Sequence, residues 1–296
     1  MSNGKNFNLF LMDGDVTGRI KCTLSNWTGL AYKIPRSHLD KCKERQDLKQ
    51  SGVYFLFGRN DNNEEVVYVG QAGIRKNGEG VLFRVTEHLK DKEYFSDAVI
   101  LTTQNNSFGP TEISYLENKF TNLAREIERF KVRNENEPNA GNVTEEKESE
   151  LEDFVVYSKM VLGVLGYKIF VPLIKTEKDN NIVENTAETL LYLHSKSKKS
   201  NRTIKATCKR TNEGFVVLKG SMIEEIDYFS IPTTLKEKRA NCKKRKDIVD
   251  GKLYKNMLFD SPSYASMFVL GRSSNGRTDW KTKDGMTLSA LEEKEI

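Results

Sequence analysis

Cysteine is scarce in this chain. Cys22, Cys42, Cys208 and Cys242 lie far apart and form no C-x-x-C pair. That spacing argues against a thiolate metal site or a disulfide framework and suits a reducing, cytoplasmic setting. Long apolar runs are lacking too. The stretch Met160 to Leu165 falls far short of the ~20 apolar residues that cross a bilayer. No apolar segment follows Met1, so neither a membrane span nor a secretory leader is expected. Internal repeats are absent.

What is present is a globular composition: 296 residues, 37% hydrophobic and 30% charged. That length suffices for two domains with real cores. The formal net charge is +5, and it is unevenly spread. Lys236, Lys238, Arg239, Lys243, Lys244, Arg245 and Lys246 stand together against one acid, Glu237. Such a block neutralises phosphates or forms a solvated helix face, and both readings stay open.

The pattern divides the chain into four stretches. Residues 1–50 alternate apolar and polar positions over 6–35, around Asp13-Gly14-Asp15, and then give a charged helix from Ser37 to Gln50. Residues 51–174 form the chemically informative domain. Gly52 to Phe57 and Val66 to Gly70 are β-branched and aromatic, and Arg59 to Asn63 between them is turn chemistry, so the two runs make a hairpin. A Gly-rich loop from Gln71 to Gly80 precedes a helix over Val81 to Lys90. A strand over Asp97 to Thr103 follows.

Thr111 to Lys131 carries Ile113, Leu116, Phe120, Leu123, Ile127 and Phe130 at helical offsets of three and four. The acids of Glu145 to Asp153 open another helix running to Leu165. A short strand is expected at Tyr167 to Leu173. A polar linker, 175–200, leads to an α+β domain over 201–296. Strands at Arg202 to Lys209 and Gly214 to Gly220, a basic helix from Thr234 to Val249 and a strand at Leu253 to Phe259 are expected there. A helix opens at Ser261-Pro262, and a hairpin turns at Asp284-Gly285.

The hairpin brings Tyr54 and Tyr68 to matching places on adjacent strands, and alternation lets both face one side. Arg84 and His88 are four apart on the next helix and share a face. Glu117 follows buried Leu116 by one position, at the edge of the stripe. Singly, each residue has an ordinary reading as packing or solvated surface. Together they supply what phosphodiester hydrolysis needs. A guanidinium neutralises phosphoryl charge, a carboxylate holds a hard cation, and a phenol or imidazole takes a proton from water.

That set resembles the GIY-YIG nuclease superfamily. Gly52-Val53-Tyr54 and Tyr68-Val69-Gly70 stand where its two motifs belong. Arg84-x-x-x-His88 resembles the motif of the following helix, and Glu117 the metal-binding Glu. The resemblance implies a three-stranded antiparallel sheet flanked by helices, here with an N-terminal β extension and a small α+β C-terminal domain. It implies Tyr54 as the base, assisted by His88 or Tyr68, with Arg84 as the phosphate clamp.

Glu117 would then be the ligand of Mg²⁺ or Mn²⁺. Asn134, or else Asn136 or Asn139, would close the site. Gln71, a candidate substrate contact, stands where many members have Lys or Ser.

The segment Asp260 to Gly276, with Trp280-Lys281 and Asp284-Gly285, is similar to a C-terminal domain of unknown function often joined to bacterial GIY-YIG proteins. Physically, Arg272 and Arg277 with Ser273 and Asn275 suit phosphate contacts, as do Lys243, Lys244 and Arg245. Trp280 is either a stacking face or core.

The function so implied is a metal-dependent endonuclease acting on DNA, in restriction, phage defence or repair. The alternatives are a catalytically silent nucleic-acid-binding protein and an interaction component of a defence complex. The expected partner is nucleic acid, DNA foremost, and not a membrane.

Overall fold

The computed structural model describes residues 4–61, 63–174 and 189–295. It is a mixed α+β structure in two compact units, residues 1–172 and 173–296. In the first unit the elements run β1 (Phe7–Leu11), β2 (Ile20–Leu24), β3 (Gly29–Pro35), β4 (Gly52–Arg59), β5 (Glu65–Ala72), α1 (Val81–Glu87), β6 (Phe95–Thr103), α2 (Pro110–Ile127), β7 (Lys131–Val132) and α3 (Glu145–Val164).

The strands make one sheet in the order β1-β2-β3-β6-β4-β5-β7. Every pairing is antiparallel except β5 with β7. The expected three-stranded core is β6-β4-β5. The N-terminal strands are not a separate layer, because β3 pairs with β6 over its whole length.

Alternation along β4 feeds two cores. Val53, Phe55 and Phe57 face α2 and α3, where Leu116, Phe120, Phe154 and Val161 cover them. Tyr54 and Leu56 face the other way, onto Val81, Leu82 and Val85 of α1 and onto Leu39 and Leu48. A strand buried on both sides reads as the continuous apolar run seen in this sequence. Helix α2 starts with Pro110 in its first turn, and Glu112 accepts a hydrogen bond from the Gly109 N–H at 3.1 Å. It stops where Glu128 adopts a left-handed conformation. Helix α3 begins at Thr144, whose hydroxyl accepts from Lys147 N, with Glu145, Glu146 and Glu148 in its first turn favouring the positive end of the dipole.

Two expectations here are corrected. The segment 37–50 is not an α-helix but three short 3₁₀ turns, Arg36–His38, Asp40–Cys42 and Gln46–Leu48. Its buried residues Leu39, Cys42 and Leu48 recur at multiples of three, the 3₁₀ period. Tyr167 to Leu173 is no strand. Its aromatic residues pack instead, Tyr167 stacked on Phe57 at 3.9 Å and Phe170 edge-on to Phe55 at 5.9 Å.

The second unit runs β8 (Leu190–Lys196), β9 (Thr203–Thr211), β10 (Gly214–Val217), α4 (Thr233–Lys244), β11 (Ile248–Val249), β12 (Lys252–Leu253), β13 (Met257–Phe259), α5 (Pro262–Leu270), α6 (Gly276–Asp279) and α7 (Leu288–Glu295). A four-stranded sheet, β13-β10-β9-β8, packs on α5. The expected linker 175–200 lies outside the described residues as far as 188. Its end is corrected, because Leu190–Lys196 is a strand paired with all but the last two residues of β9.

The basic helix ends at Lys244, and Asp250-Gly251, both at positive φ, turn β11 back onto β12. The strand expected over 253–259 is therefore two short strands with different partners. No described helix is long and apolar enough to cross a membrane, and all four cysteines are free and buried.

Candidate active site

The site forms on the α1 face of the sheet. Tyr54 and Tyr68 share that face but are not directly opposite. Tyr54 pairs with Gly70 and Tyr68 with Leu56. The offset puts the two ring centroids 6.3 Å apart. Gly70 makes room for this. A Cβ there would lie 2.4 Å from Cζ and the hydroxyl of Tyr54, so the phenol lies across the β5 backbone where a side chain cannot be.

The hydroxyl of Tyr54 ends 2.8 Å from Nε2 of His88, the residue that closes α1. Nδ1 of the same ring sits 3.2 Å from Oδ1 of Asp91. A carboxylate holds the proton on Nδ1 and leaves Nε2 as the acceptor for the phenol. His88 is 3% exposed, and burial pushes its pKa down, so the ring is neutral. Burial drives the Tyr54 phenol well above its ordinary value, against the lowering effect of Arg84. Tyr68 is raised for the same reason, with Glu117 adding to it. The ammonium of Lys92 lies 4.4 Å from the Tyr68 ring centroid.

Arg84 is one turn before His88, and its side chain keeps 42% exposure. Glu87 Oε2 accepts from Arg84 at 2.9 Å and from Arg75 at 2.7 Å. The guanidinium is thus fixed by one carboxylate while part of it stays open to solvent.

Glu117 belongs to α2, whose apolar stripe covers the opposite face of the sheet. Its carboxyl nevertheless acts electrostatically on Tyr54 and Tyr68, and Arg84 acts on it. On the side away from β4, β5 has among the described residues no strand partner beyond Val67, and this edge lies beside α2. Burial raises the Glu117 carboxyl to about 7, with Arg84 pulling the other way.

Asn134 closes the open edge: its Oδ1 accepts from Val69 N at 3.1 Å, and its Nδ2 donates to Val69 O at 2.7 Å. Both ends of its amide are spent on the strand. Asn139 serves its own turn through Gly141 N, and the Asn136 carbonyl accepts from Arg125. Gln71 points to the α2 face and donates to Ser114 at 3.4 Å, away from the phenols.

So Tyr54, Tyr68, Arg84, His88 and Glu117 act on one another, whereas Gln71 does not join them. Sequence reasoning missed Asp91, Glu87 and Lys92. The first two follow His88 and Arg84 by three, the spacing of one helical face, and that signal was there to read. No group of three His, Cys, Asp or Glu side chains is placed to hold a metal among the described residues. A hydrated hard cation uses one or two carboxylates, and Glu117, half-buried, fits that demand.

The expected phosphate binders of the second unit have varied fates. Arg245 pairs with Asp247 at 2.8 Å, and Arg277 with Glu292 at 2.7 Å. Lys243 donates to Glu225 O at 2.8 Å, and Lys244 is exposed. Arg272 donates to Ser273 O at 3.1 Å.

The basic block is not one solvated face. Arg239 is fully buried, bonded to Asp227 and to the carbonyls of Glu224 and Phe268. Lys238 lies over the Phe259 ring at 4.3 Å. Trp280 is core, its Nε1 donating to Pro262 O at 3.0 Å, which removes it as a stacking face.

Residues 197–292 match the family model described as Domain of unknown function (DUF4357). That segment, at the C-terminal end of the chain, is similar to a domain of unknown function. No curated protein and no solved structure matches the chain.

Proposed function

We propose that the first unit is a metal-dependent endonuclease of GIY-YIG type that hydrolyses phosphodiester bonds in DNA. The observation that carries this reading is the contact of Tyr54 with His88 beside a cation, Arg84, and a carboxyl, Glu117, that share one electrostatic environment.

A phenol with a raised pKa is a poor base alone. The His88 contact removes that objection. As the Tyr54 oxygen takes a proton from water, its own proton passes to Nε2 of His88, so no free phenolate accumulates. Asp91 steadies the imidazolium that results. Arg84 meets the charge growing on the phosphoryl oxygens. Mg²⁺ or Mn²⁺ bound at Glu117 would polarise the phosphate and steady the leaving oxygen. Asn134 keeps β5 in register, and with it Tyr68 and Gly70.

The test is cleavage of labelled single-stranded, duplex and branched DNA with Mg²⁺ or Mn²⁺, comparing wild type with Glu117→Ala and Arg84→Ala. Cutting by wild type and its loss in both variants supports the reading. Wild type that binds DNA but cuts none of the panel rejects it in favour of a silent binding protein. Restriction, phage defence and repair are the settings in which such an enzyme would act.

A further inference from the structure

The charge of the chain is concentrated at its C-terminal end. Residues 189–296 hold 22 Lys and Arg against 13 Asp and Glu, an excess of nine (22 − 13). The rest is net acidic, with 25 basic residues against 29 acids. A polyanion is the partner such an excess complements.

Within this unit a cavity of about 300 Å³ opens beside the end of β8. Lys196, Lys198, Arg272, Tyr228 and Glu224 are among its lining. Among the described residues Glu224 is the one acid there, and its carboxylate is already engaged by Ser200 Oγ at 2.9 Å and Ile226 N at 3.1 Å. Next to Tyr228 in the chain stands Phe229, which is fully exposed. An aromatic ring left wholly in water gains by acquiring a partner.

That exposure is built, since the turn carrying Phe229 is fixed at both ends. Tyr228 N donates to Gly271 O at 2.8 Å, and Ile231 N to Tyr228 O at 3.2 Å. Ser273 N donates to Ser230 Oγ at 3.2 Å. Gly271 permits this approach, because a Cβ there would sit 2.5 Å from Ile226 O. On the other side Lys199 N and Ser197 Oγ bond the Tyr228 hydroxyl at 3.2 Å, and the Lys199 ammonium lies over its ring at 4.5 Å. The Gly-Arg-Ser-Ser-Asn-Gly segment therefore works mainly as a brace for the Phe229 turn, with Arg272 left as its contribution to the charged wall.

We propose that Phe229 and the cations Lys196, Lys198 and Arg272 form a binding site for a single-stranded polynucleotide, an unstacked base resting on Phe229 and adjoining phosphates on the cations. A rigid aromatic beside a basic wall is the arrangement that holds single strands with little regard to sequence. Duplex bases have no face free to stack, so this site discriminates against paired strands. The assignment stands on the second unit alone and does not depend on the nuclease reading.

The experiment is fluorescence anisotropy of the full chain in EDTA, which bars metal-dependent cleavage. The probes are labelled dT12, rU12, an abasic 12-mer and a 12-bp duplex, each titrated at several salt concentrations. Phe229→Ala is expected to weaken binding of dT12 or rU12 about tenfold, leaving the salt dependence and the abasic probe unaffected. Joint replacement of Lys196, Lys198 and Arg272 by Ala should reduce the salt slope by about 2. Both sets are surface changes, checked by unaltered melting. Tighter binding of dT12 or of rU12 supports the site and identifies its sugar. Wild type that binds neither strand at low salt overturns the proposal, as does Phe229→Ala that binds both like wild type, or a duplex bound as tightly as dT12.

Discussion

The Tyr54 hydroxyl lies 2.8 Å from Nε2 of His88, and this contact ties the sheet to the helix that carries Arg84. Because Asp91 orients the same imidazole from its other nitrogen, the three groups form a graded series. Tyr54→Phe is expected to slow single-turnover cleavage by about 10²–10⁴-fold, the range for losing a general base. Asp91→Asn is expected to cost about tenfold, as an orienting partner does, since its side chain is 59% exposed. Equal losses from the two changes would place Asp91 in the chemistry itself.

Glu117 gives the pH dependence. Its carboxyl is raised to about 7, so below that pH it is protonated and cannot hold a cation. Mn²⁺ affinity, read by titration calorimetry, should fall about tenfold per pH unit below 7 and be lost in Glu117→Gln.

Stability runs the opposite way. The unfolded carboxyl ionises near 4.5 and the folded one near 7. The native state therefore binds the extra proton in that window, and stability drops as pH rises through it. Glu117→Gln removes the cost of the buried charge, so at pH 8 without metal it should melt about 2–4 °C above wild type, with a smaller gain at pH 5. A gain independent of pH would mean that the carboxyl is not the cause.

Gly70 is a sharper probe of geometry than removal of any of the proposed catalytic groups. Gly70→Ala drives a methyl into Cζ and the hydroxyl of Tyr54. The ring must leave His88, and overpacking of this kind costs about 1–3 kcal/mol. The expected result is a folded protein with activity near that of Tyr54→Phe. Near-normal activity would show that the Tyr54–His88 contact is dispensable.

The central strands and α2 were legible because their signals are local. β4 and β5 are continuous β-branched and aromatic runs, and α2 shows a buried stripe with Pro110 at its start. Motif spacing then brought Tyr54, Arg84, His88 and Glu117 forward together. What escaped was set by distant partners.

β8 looked like linker because Leu191 and Leu193 alternate over only a few residues, and it becomes a strand through β9. Gln71 faces α2 rather than the phenols because one step along β5 reverses the face. Arg239 looked solvated within its basic block, although acceptors from Glu224, Asp227 and Phe268 draw it inside.

That burial makes Arg239 a stability residue. Arg239→Ala would leave two carbonyls and the Asp227 carboxylate facing an empty space, a loss of about 3–5 kcal/mol for a broken buried pair. The second unit should unfold at lower denaturant than wild type, followed by near-ultraviolet dichroism of Trp280, which sits in the same core. Lys244→Ala, an exposed change in the same block, should leave the transition within about 0.5 kcal/mol of wild type.

Arg84 and the exposed part of the basic block should separate kinetically. The guanidinium of Arg84 stands beside Tyr54, where in the proposed reaction charge would develop as the phosphate is attacked, so Arg84→Ala should lower the chemical rate about 10²–10³-fold with little change in DNA affinity. Lys243, Lys244 and Arg245 are exposed on the other unit, and a long-range attraction to phosphate there would be felt before and after the proposed reaction alike. Joint charge reversal at those three should weaken binding and flatten its salt dependence, leaving the single-turnover rate at saturation unaltered. Uniform binding lowers KM without touching kcat, and interactions made only in the transition state do the reverse. Matching kinetic profiles for the two sets of variants would contradict this division of labour between the units.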